Sequence, residues 1–166
     1  MISPITENIP EELTGRPQWV CWRLELRDDK LTKVLYTPED RRRADTTAPA
    51  TWDAFEGAAS AYEASGGFYD GIGFVFSKDD PFVGIDLDDC RNPETGEIAE
   101  WAQSILGRVV DSYTEVSPSG TGVHVIVEGT LRSNRRRKKV HIDGEVVGLV
   151  EMYDRARFFT ITGRAL

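Results

Sequence analysis

The sequence predicts a protein of the α+β class, a mixed α/β chain whose largely antiparallel sheets are flanked by helices. Short apolar segments rich in aromatic and β-branched residues, which favour strands, recur along the chain and dominate its C-terminal third. Only two segments repeat their apolar residues at helical spacing, and both lie between strand-like segments. The 166 residues are 40% hydrophobic, which is enough for an independent core. We therefore expect a single domain over 1–166.

The first element is predicted to be a β-hairpin. Residues 18–26 (QWVCWRLEL) have the composition of a strand. The pair Asp28-Asp29 is expected to turn the chain into a second strand over 31–36. The polar segment 38–49 that follows is expected to be a loop.

Two helices are expected. Thr51 has the side chain of an N-cap, and Asp53 would then lie in the first turn, where the helix dipole favours an anion. The Gly66-Gly67 pair would end this helix. A second helix is expected over about 98–110, where apolar residues repeat at helical spacing.

The remaining elements are predicted to be strands. Two apolar segments on either side of Asp79-Asp80-Pro81 read as strands, and Asp143-Gly144 is expected to form a short hairpin turn. These strands are expected over 71–76, 82–87, 112–116, 122–128, 148–153 and 157–162.

The composition argues against several classes of protein. No apolar run approaches the ~18 residues that cross a bilayer, and the N-terminal residues lack the layout of a signal peptide. We therefore expect a cytoplasmic protein. The 2 cysteines, Cys21 and Cys90, lack the spacing of a zinc site. The net charge of −8 is unusual for a protein that binds nucleic acid.

The most informative segment is 83–89 (VGIDLDD), a short apolar strand with two carboxylates two residues apart. Side chains alternate along a strand, so Asp86 and Asp88 share one face while Ile85 and Leu87 point into the core. Two adjacent acids repel and lose hydration when buried, which favours a bridging divalent metal such as Mg²⁺ or Mn²⁺. The alternative is a strand that ends in a solvated acidic turn.

A second segment, 117–125 (SPSGTGVHV), has small residues between two strands. Such a loop can direct backbone N–H groups toward an anion, as phosphate-binding loops do. His124 follows at the start of the next strand, where it could contact a phosphate or a sugar. The alternative is a Gly/Ser turn followed by a buried histidine with one hydrogen bond. The segment is not a P-loop, because it lacks Gly-Lys-Ser/Thr and precedes a strand.

A third acid lies on a later strand. Glu151 has apolar neighbours, Val150 and Met152, and is expected to point to the opposite face. A single glutamate in a strand usually faces solvent. Beside a site with two aspartates, it is the expected completing ligand of a two-metal centre.

Basic charge is concentrated in the segment 131–139 (LRSNRRRKK). Such a run is commonly a solvated loop. Its alternative role is contact with a phosphate backbone, which is independent of sequence and weakens with salt. The candidate DNA-binding residues are Arg132, Arg135, Arg136, Arg137, Lys138 and Lys139.

The order of these motifs resembles the catalytic core of the archaeo-eukaryotic primase superfamily, in particular the primase–polymerase (prim-pol) domains of phages, plasmids and integrated elements. The match is Asp-x-Asp on a strand, then SPSGTGVH, then Glu on a strand before Arg-Phe-x-Thr-x-Thr-Gly. The segments that carry it are GIGFVF (71–76), PFVGIDLDDC (81–90), SYTEVSPSGTGVHV (112–125) and EMYDRARFFTITG (151–163). The segments 18–25 and 51–58 also fit the phage and plasmid branch, so the resemblance covers nearly the whole chain.

The resemblance implies a role for each matching residue. Asp86 and Asp88 match the aspartate pair that binds metal in the family, and Glu151 matches the third acid, which is often Asp in relatives. His124 matches the histidine that contacts the incoming nucleotide, so these four residues are the implied catalytic set. The implied nucleotide-binding residues are Ser119, Gly120, Gly122, His124, Arg157 and Thr160.

The resemblance also implies an activity. It is template-directed nucleotidyl transfer that synthesises DNA, as polymerase and primase, by catalysis with two Mg²⁺ or Mn²⁺ ions during replication of a phage or mobile element. The expected partners are a single-stranded DNA template and dNTPs or NTPs. A helical primase module and a helicase-like ATPase would follow in a longer replication protein. The alternatives are a metal-dependent nuclease, a non-catalytic module that binds nucleotide or single-stranded DNA, and a sugar-nucleotide transferase.

Overall fold

The computed structural model describes residues 3–133 and 136–166. Numbered in chain order, its strands are β1 (Trp19–Arg27), β2 (Lys30–Tyr36), β3 (Gly71–Phe76), β4 (Phe82–Asp88), β5 (Tyr113–Val116), β6 (Val123–Glu128), β7 (Arg137–Ile142), β8 (Glu145–Tyr153) and β9 (Arg157–Ile161). Its α-helices are α1 (Glu11–Thr14), α2 (Phe55–Glu63) and α3 (Glu100–Leu106). Among the described residues, no helix has the length and apolar character needed to span a membrane.

The strands form two antiparallel sheets, which confirms the predicted α+β class. One sheet has four strands in the order β2-β1-β3-β9, and the other has five in the order β5-β6-β4-β8-β7. The consecutive strands β3 and β4 lie in different sheets, so the chain crosses from one sheet to the other between them. It crosses back at β9, which pairs with β3.

The N-terminal hairpin confirms the sequence prediction. Asp28 and Asp29 both adopt positive φ angles, 48° and 59°, and connect β1 to β2 in continuous register from Arg27↔Lys30 to Cys21↔Tyr36. Asp is among the few residues other than glycine that enter this left-handed region at low cost.

The predicted start of the first long helix is wrong. Thr51 ends a short 3₁₀ turn, and α2 begins at Phe55. The cause is a backbone pairing: Asp53 exchanges hydrogen bonds of 3.0 and 2.8 Å with Trp19 of β1, which holds Asp53 in an extended conformation. The second helix, α3, is also shorter than expected: it begins at Glu100 and ends at Leu106, before Gly107.

The basic segment is only partly a loop, which is one of the two interpretations of its sequence. Its last residues, 137–139, belong to β7, the edge strand of the five-stranded sheet. Asp143 and Gly144, with φ of 50° and 86°, form the expected hairpin turn into β8. Arg135 lies outside the described residues.

Close packing joins the two sheets at one glycine of β4. The aromatic rings of Phe76 and Phe159, from the four-stranded sheet, pack edge to face at 5.0 Å between centroids. They lie against Gly84, where a Cβ atom would be 2.5 Å from Phe76 Cζ and 2.7 Å from Phe159 Cε2. The absence of a side chain at Gly84 therefore sets how closely the sheets approach.

We expect Gly84→Ala to destabilise the fold by ~1–3 kcal/mol, because the added methyl group must displace two buried rings. Chemical denaturation would measure the change. Gly129→Ala is the matched control, since its Cβ would be 3.9 Å from Val83. Equal effects of the two substitutions would contradict the close approach at Gly84.

Candidate functional site

A row of five ionisable residues crosses the five-stranded sheet from edge to edge. The strand registers pair Glu115 with His124, His124 with Asp86, Asp86 with Glu151, and Glu151 with Arg137. Directly paired residues of antiparallel strands project to the same face. The register therefore places all five side chains on one face of the sheet, and we call them the charged row.

The opposite face of the same strands is apolar. Ile85 and Leu87 lie in a cluster with Val123 and Val125, and α3 covers this cluster. The predicted alternation along β4 is therefore confirmed, because its odd residues face the helix and Asp86 and Asp88 face away from it.

The three acids of the predicted metal site lie together. One carboxylate oxygen from each of Asp86, Asp88 and Glu151 falls within 4.8 Å of the other two. The Asp86 and Glu151 side chains retain 20% exposure each. Oδ1 of Asp86 is buried and has no hydrogen-bond partner among the described residues.

This arrangement raises the pKa values of the aspartates. Burial, the repulsion of Asp86 and the repulsion of Glu151 raise the pKa of Asp88 to about 6. Burial is also the main cause that raises the pKa of Asp86, and Glu151 adds to it while His124 opposes it. The two aspartates thus bind protons more tightly than isolated carboxylates do, as expected of neighbouring acids.

Three close acids with an unpartnered oxygen fit a divalent cation. Oxygen donors of this kind suit hard ions such as Mg²⁺ or Mn²⁺. Asp86, Asp88 and Glu151 could therefore hold metal.

His124 is buried beside the acids and held from two sides. Its Nδ1 lies 3.3 Å from Oε1 of Glu115, and its Nε2 lies 3.7 Å from Oδ1 of Asp86. The Phe159 ring stacks on the imidazole with centroids 4.7 Å apart. Burial lowers the pKa of His124, but the Glu115 hydrogen bond and the charge of Asp86 outweigh it, so the pKa is raised overall.

The four-stranded sheet completes a cavity of about 210 Å³ that Asp86 and Glu151 line and Asp88 does not. From β9, Arg157 and Thr160 line it, which brings both residues of the trailing motif to the site. Oγ1 of Thr160 is buried without a hydrogen-bond partner among the described residues. The Arg157 guanidinium lies over the Tyr153 ring, 4.6 Å from its centroid.

Lys33 of β2 also lines this cavity. Desolvation lowers the pKa of Lys33, while the charges of Asp86 and Asp88 oppose the shift. The cavity thus has acids on one wall and a lysine amine on the other.

The Gly/Ser loop lies at the end of β4 rather than in this cavity. A Cβ atom at Gly122 would be 2.8 Å from the Leu87 carbonyl oxygen and 3.6 Å from Asp88 Cα. The amides of Gly120, Thr121 and Gly122 donate within the loop, to Ser117 O, Ser119 Oγ and Ser117 Oγ. What the loop offers outward is the exposed Ser119 hydroxyl, while Gly120 is buried with a φ of 79°.

The basic segment is split between two faces of the sheet edge. Nε of Arg137 lies 3.3 Å from Oε1 of Glu151, at the end of the charged row. Arg136 instead pairs with Asp154, at 3.2 Å. Lys138 pairs with Val150 and so points to the α3 side. A cavity of about 770 Å³ at this edge is lined by Trp101 and by all four basic residues 136–139. Arg132 contributes to neither described cavity.

Sequence reasoning missed Glu115, Lys33 and Phe159. Glu115 gave one weak signal, a charged residue next to Val116 in a short strand of four residues, YTEV. Lys33 gave none, because a lysine on an amphipathic hairpin normally faces solvent. Its role depends on how the two sheets meet, which local pattern does not encode.

Comparison with known proteins finds one curated relative of direct relevance. The chain is 40% identical over 151 residues to a protein of Nitratiruptor phage NrS-1 named DNA Primase-polymerase. The alignment covers 91% of this chain and 20% of the relative, so the chain spans about one fifth of the relative's length. No family model matches the chain.

We expect a divalent cation to stabilise the fold at pH 7.5 more than at pH 5. The pKa of Asp88 is raised to about 6, so the fold binds its proton more tightly than the unfolded chain does. The stability of the metal-free protein therefore falls as pH rises from about 4 through 6, and the cation reverses this loss. Thermal unfolding with saturating Mn²⁺ should shift by ~5 °C or more at pH 7.5.

Two substitutions separate this effect from general charge. Asp88→Asn should abolish most of the cation-dependent shift and flatten the fall of stability with pH. Asp89→Asn is the matched control, because Asp89 is exposed and its φ of 56° suits Asn equally well. A cation shift of the same size in both variants would contradict the metal site.

Proposed function

We propose that this chain is a template-directed nucleotidyltransferase that synthesises DNA, with polymerase and primase activity. The observation that carries the proposal is the charged row, which brings His124 and two acids side by side in a cavity that Lys33 and Thr160 also line. The similarity to a phage protein named DNA Primase-polymerase supports it, since the alignment spans 91% of this chain.

We further propose that the chain is a prim-pol domain of the archaeo-eukaryotic primase superfamily, and that 1–166 is a single catalytic domain. The order of the motifs supports this assignment. In a replication protein of a phage or mobile element it would form the N-terminal part. The relative's length outside the alignment leaves room for further modules, for which a helical primase module and a helicase-like ATPase are our candidates.

In this proposal the three acids bind metal, and the other residues around the cavity bind the nucleotide. Asp86, Asp88 and Glu151 would hold two Mg²⁺ or Mn²⁺ ions. When bound, these ions lower the pKa of the attacking 3′-hydroxyl and stabilise the pyrophosphate leaving group. In the reaction a bond forms between the 3′-oxygen and the α-phosphorus, the α–β phosphoanhydride bond breaks, and the hydroxyl proton passes to solvent.

The cationic and hydroxyl groups around the cavity would bind the triphosphate. Lys33 and Arg157 line this cavity and would supply positive charge, and Nε2 of His124, which lies beside Asp86, would contact the sugar or a phosphate of the nucleotide. The unpartnered Thr160 hydroxyl is placed to donate to a phosphate or sugar oxygen. From the loop beside Asp88, Ser119 would contact the triphosphate, while Gly120 and Gly122, whose amides donate within the loop, would contribute to nucleotide binding by shaping it.

The edge strand β7 would bind the single-stranded template. Side chains alternate along β7, so Lys139 shares the face of Arg137, beside Glu151, while Lys138 faces α3. A template backbone on the Arg137 face would therefore reach the acids. Arg132, Arg135 and Arg136 would extend this contact.

The decisive test is primer extension on a single-stranded DNA template with dNTPs and Mg²⁺ or Mn²⁺. The wild type should extend the primer. Asp86→Asn should reduce the rate by about 100-fold or more, because it removes charge where charge is stabilised in the transition state. Asp89→Asn, which makes the same change of charge on the neighbouring exposed position, should retain activity.

Other outcomes would identify other functions. Shortened template or primer without added nucleotide would indicate a metal-dependent nuclease. Binding of dNTP and DNA without extension or cleavage would indicate a binding module. Equal activity of wild type and Asp86→Asn would exclude the assignment of the acids.

We also expect the two neighbouring lysines of β7 to differ in their effect on DNA binding. Lys139→Gln should weaken binding to single-stranded DNA several-fold and reduce the salt slope by about one ion, because it removes one phosphate contact. Lys138→Gln should have a smaller effect, since its side chain faces α3. Fluorescence anisotropy over a salt series would measure both. A larger effect of Lys138→Gln would place the template on the opposite face.

A further inference from the structure

Glu115 is a charged residue with no solvent contact. Its side chain is fully buried, with 0% exposure, and it lies on β5 away from the cavity lining. Burial of a carboxylate is costly unless hydrogen bonds and opposite charge compensate it. The buried Glu115 carboxylate therefore needs hydrogen-bond donors or an opposite charge close to it.

Three donors other than His124 satisfy the Glu115 carboxylate. The backbone N–H of Thr162 donates at 2.9 Å, that of Gly163 at 2.8 Å, and the Tyr113 hydroxyl at 2.8 Å. A carboxylate with these donors has acceptor capacity left but no hydrogen to donate. The proton in its contact with His124 must therefore be carried by Nδ1 of the imidazole, 3.3 Å from Oε1.

This contact determines which nitrogen faces the cavity. With Nδ1–H donated to Glu115, the ring presents Nε2 toward Asp86, at 3.7 Å. Rotation of the ring by 180° about its bond to Cβ would exchange nitrogen and carbon positions and lose both contacts. Stacking on Phe159 restrains the tilt of the ring but does not distinguish its two orientations.

We propose that Glu115 is a positioning residue that keeps the proton of His124 on Nδ1 and aims Nε2 at the incoming nucleotide. The identity of the ligand as a nucleotide rests on the proposed function. The orientation of His124 by Glu115 does not. Glu115 does not line the cavity, so it would act on a bound nucleotide only through His124.

A purely structural role is the competing explanation, since the carboxylate also anchors the turn at Thr162 and Gly163. Glu115→Gln distinguishes the two roles. The amide group is similar in shape, but its NH₂ can donate to Nδ1, which would move the imidazole proton to Nε2. Thr162→Val is the matched control: it removes the 2.8 Å hydrogen bond from Thr162 Oγ1 to Val116 O and leaves the backbone donor to Glu115 in place.

The experiment is NMR of the protein labelled with ¹⁵N-histidine, in which few signals need to be assigned. There are 2 histidines, and His141 is on the exposed part of β7, so His141→Asn assigns both sets of signals. We expect His124 to carry a proton on Nδ1 in the wild type and in Thr162→Val. We expect it to carry a proton on Nε2 alone in Glu115→Gln.

Two outcomes would overturn the proposal. One is a neutral His124 in the wild type with its proton on Nε2, which requires no variant and so holds even where Glu115→Gln fails to fold. The other is an unchanged signature in a folded Glu115→Gln. Neither depends on turnover, so a wild type that fails to extend a primer would count against the proposed function and leave this test intact.

Steady-state kinetics test whether Glu115 affects nucleotide binding. In primer extension, Glu115→Gln should raise KM for dNTP about tenfold with a smaller change in kcat, as expected for lost nucleotide positioning. The double variant Glu115→Gln/His124→Asn should have the same kcat/KM as His124→Asn alone, because both substitutions remove the same contact between His124 and the nucleotide. Additive losses would mean that Glu115 acts independently of His124.

Discussion

The antiparallel register of β4 with its two neighbours is the constraint on which the site depends. It sets Asp86 opposite His124 on one side and Glu151 on the other. A shift of one residue would turn Asp86 toward α3 and bring an apolar side chain into the row, because side chains alternate with a period of two. The apolar face under α3 opposes such a shift, so the residues that fold the sheet also align its chemistry.

The charged row is also an electrostatic arrangement. From Glu115 to Arg137 it runs acid, histidine, acid, acid, arginine. At each end an acid and a base lie 3.3 Å apart, and the two adjacent acids lie at the centre. Repulsion is thus concentrated where Asp88 adds a further charge, and burial with this repulsion raises the pKa values of both aspartates there.

The sequence could predict whatever depends on neighbouring residues. Alternation along 83–89 was enough to place Asp86 and Asp88 on one face, and Asp28-Asp29 was enough for the hairpin. It could not predict that Asp53 would pair with Trp19. That pairing prevents a helix from starting at Thr51, and it involves a residue more than thirty positions away in the sequence. For the same reason Lys33 and Glu115 escaped notice: their roles depend on which strands meet.

The return of β9 to the first sheet has a consequence for synthesis. β9 is the last of the described strands to leave the ribosome, and it pairs with β3, which leaves much earlier. The acids can be aligned within their own sheet before then, but Phe159 and Thr160 arrive only with β9. Long-range pairing of this kind is slow to form, so during translation β3 is exposed as an unpaired edge, a stage at which nascent chains are prone to associate.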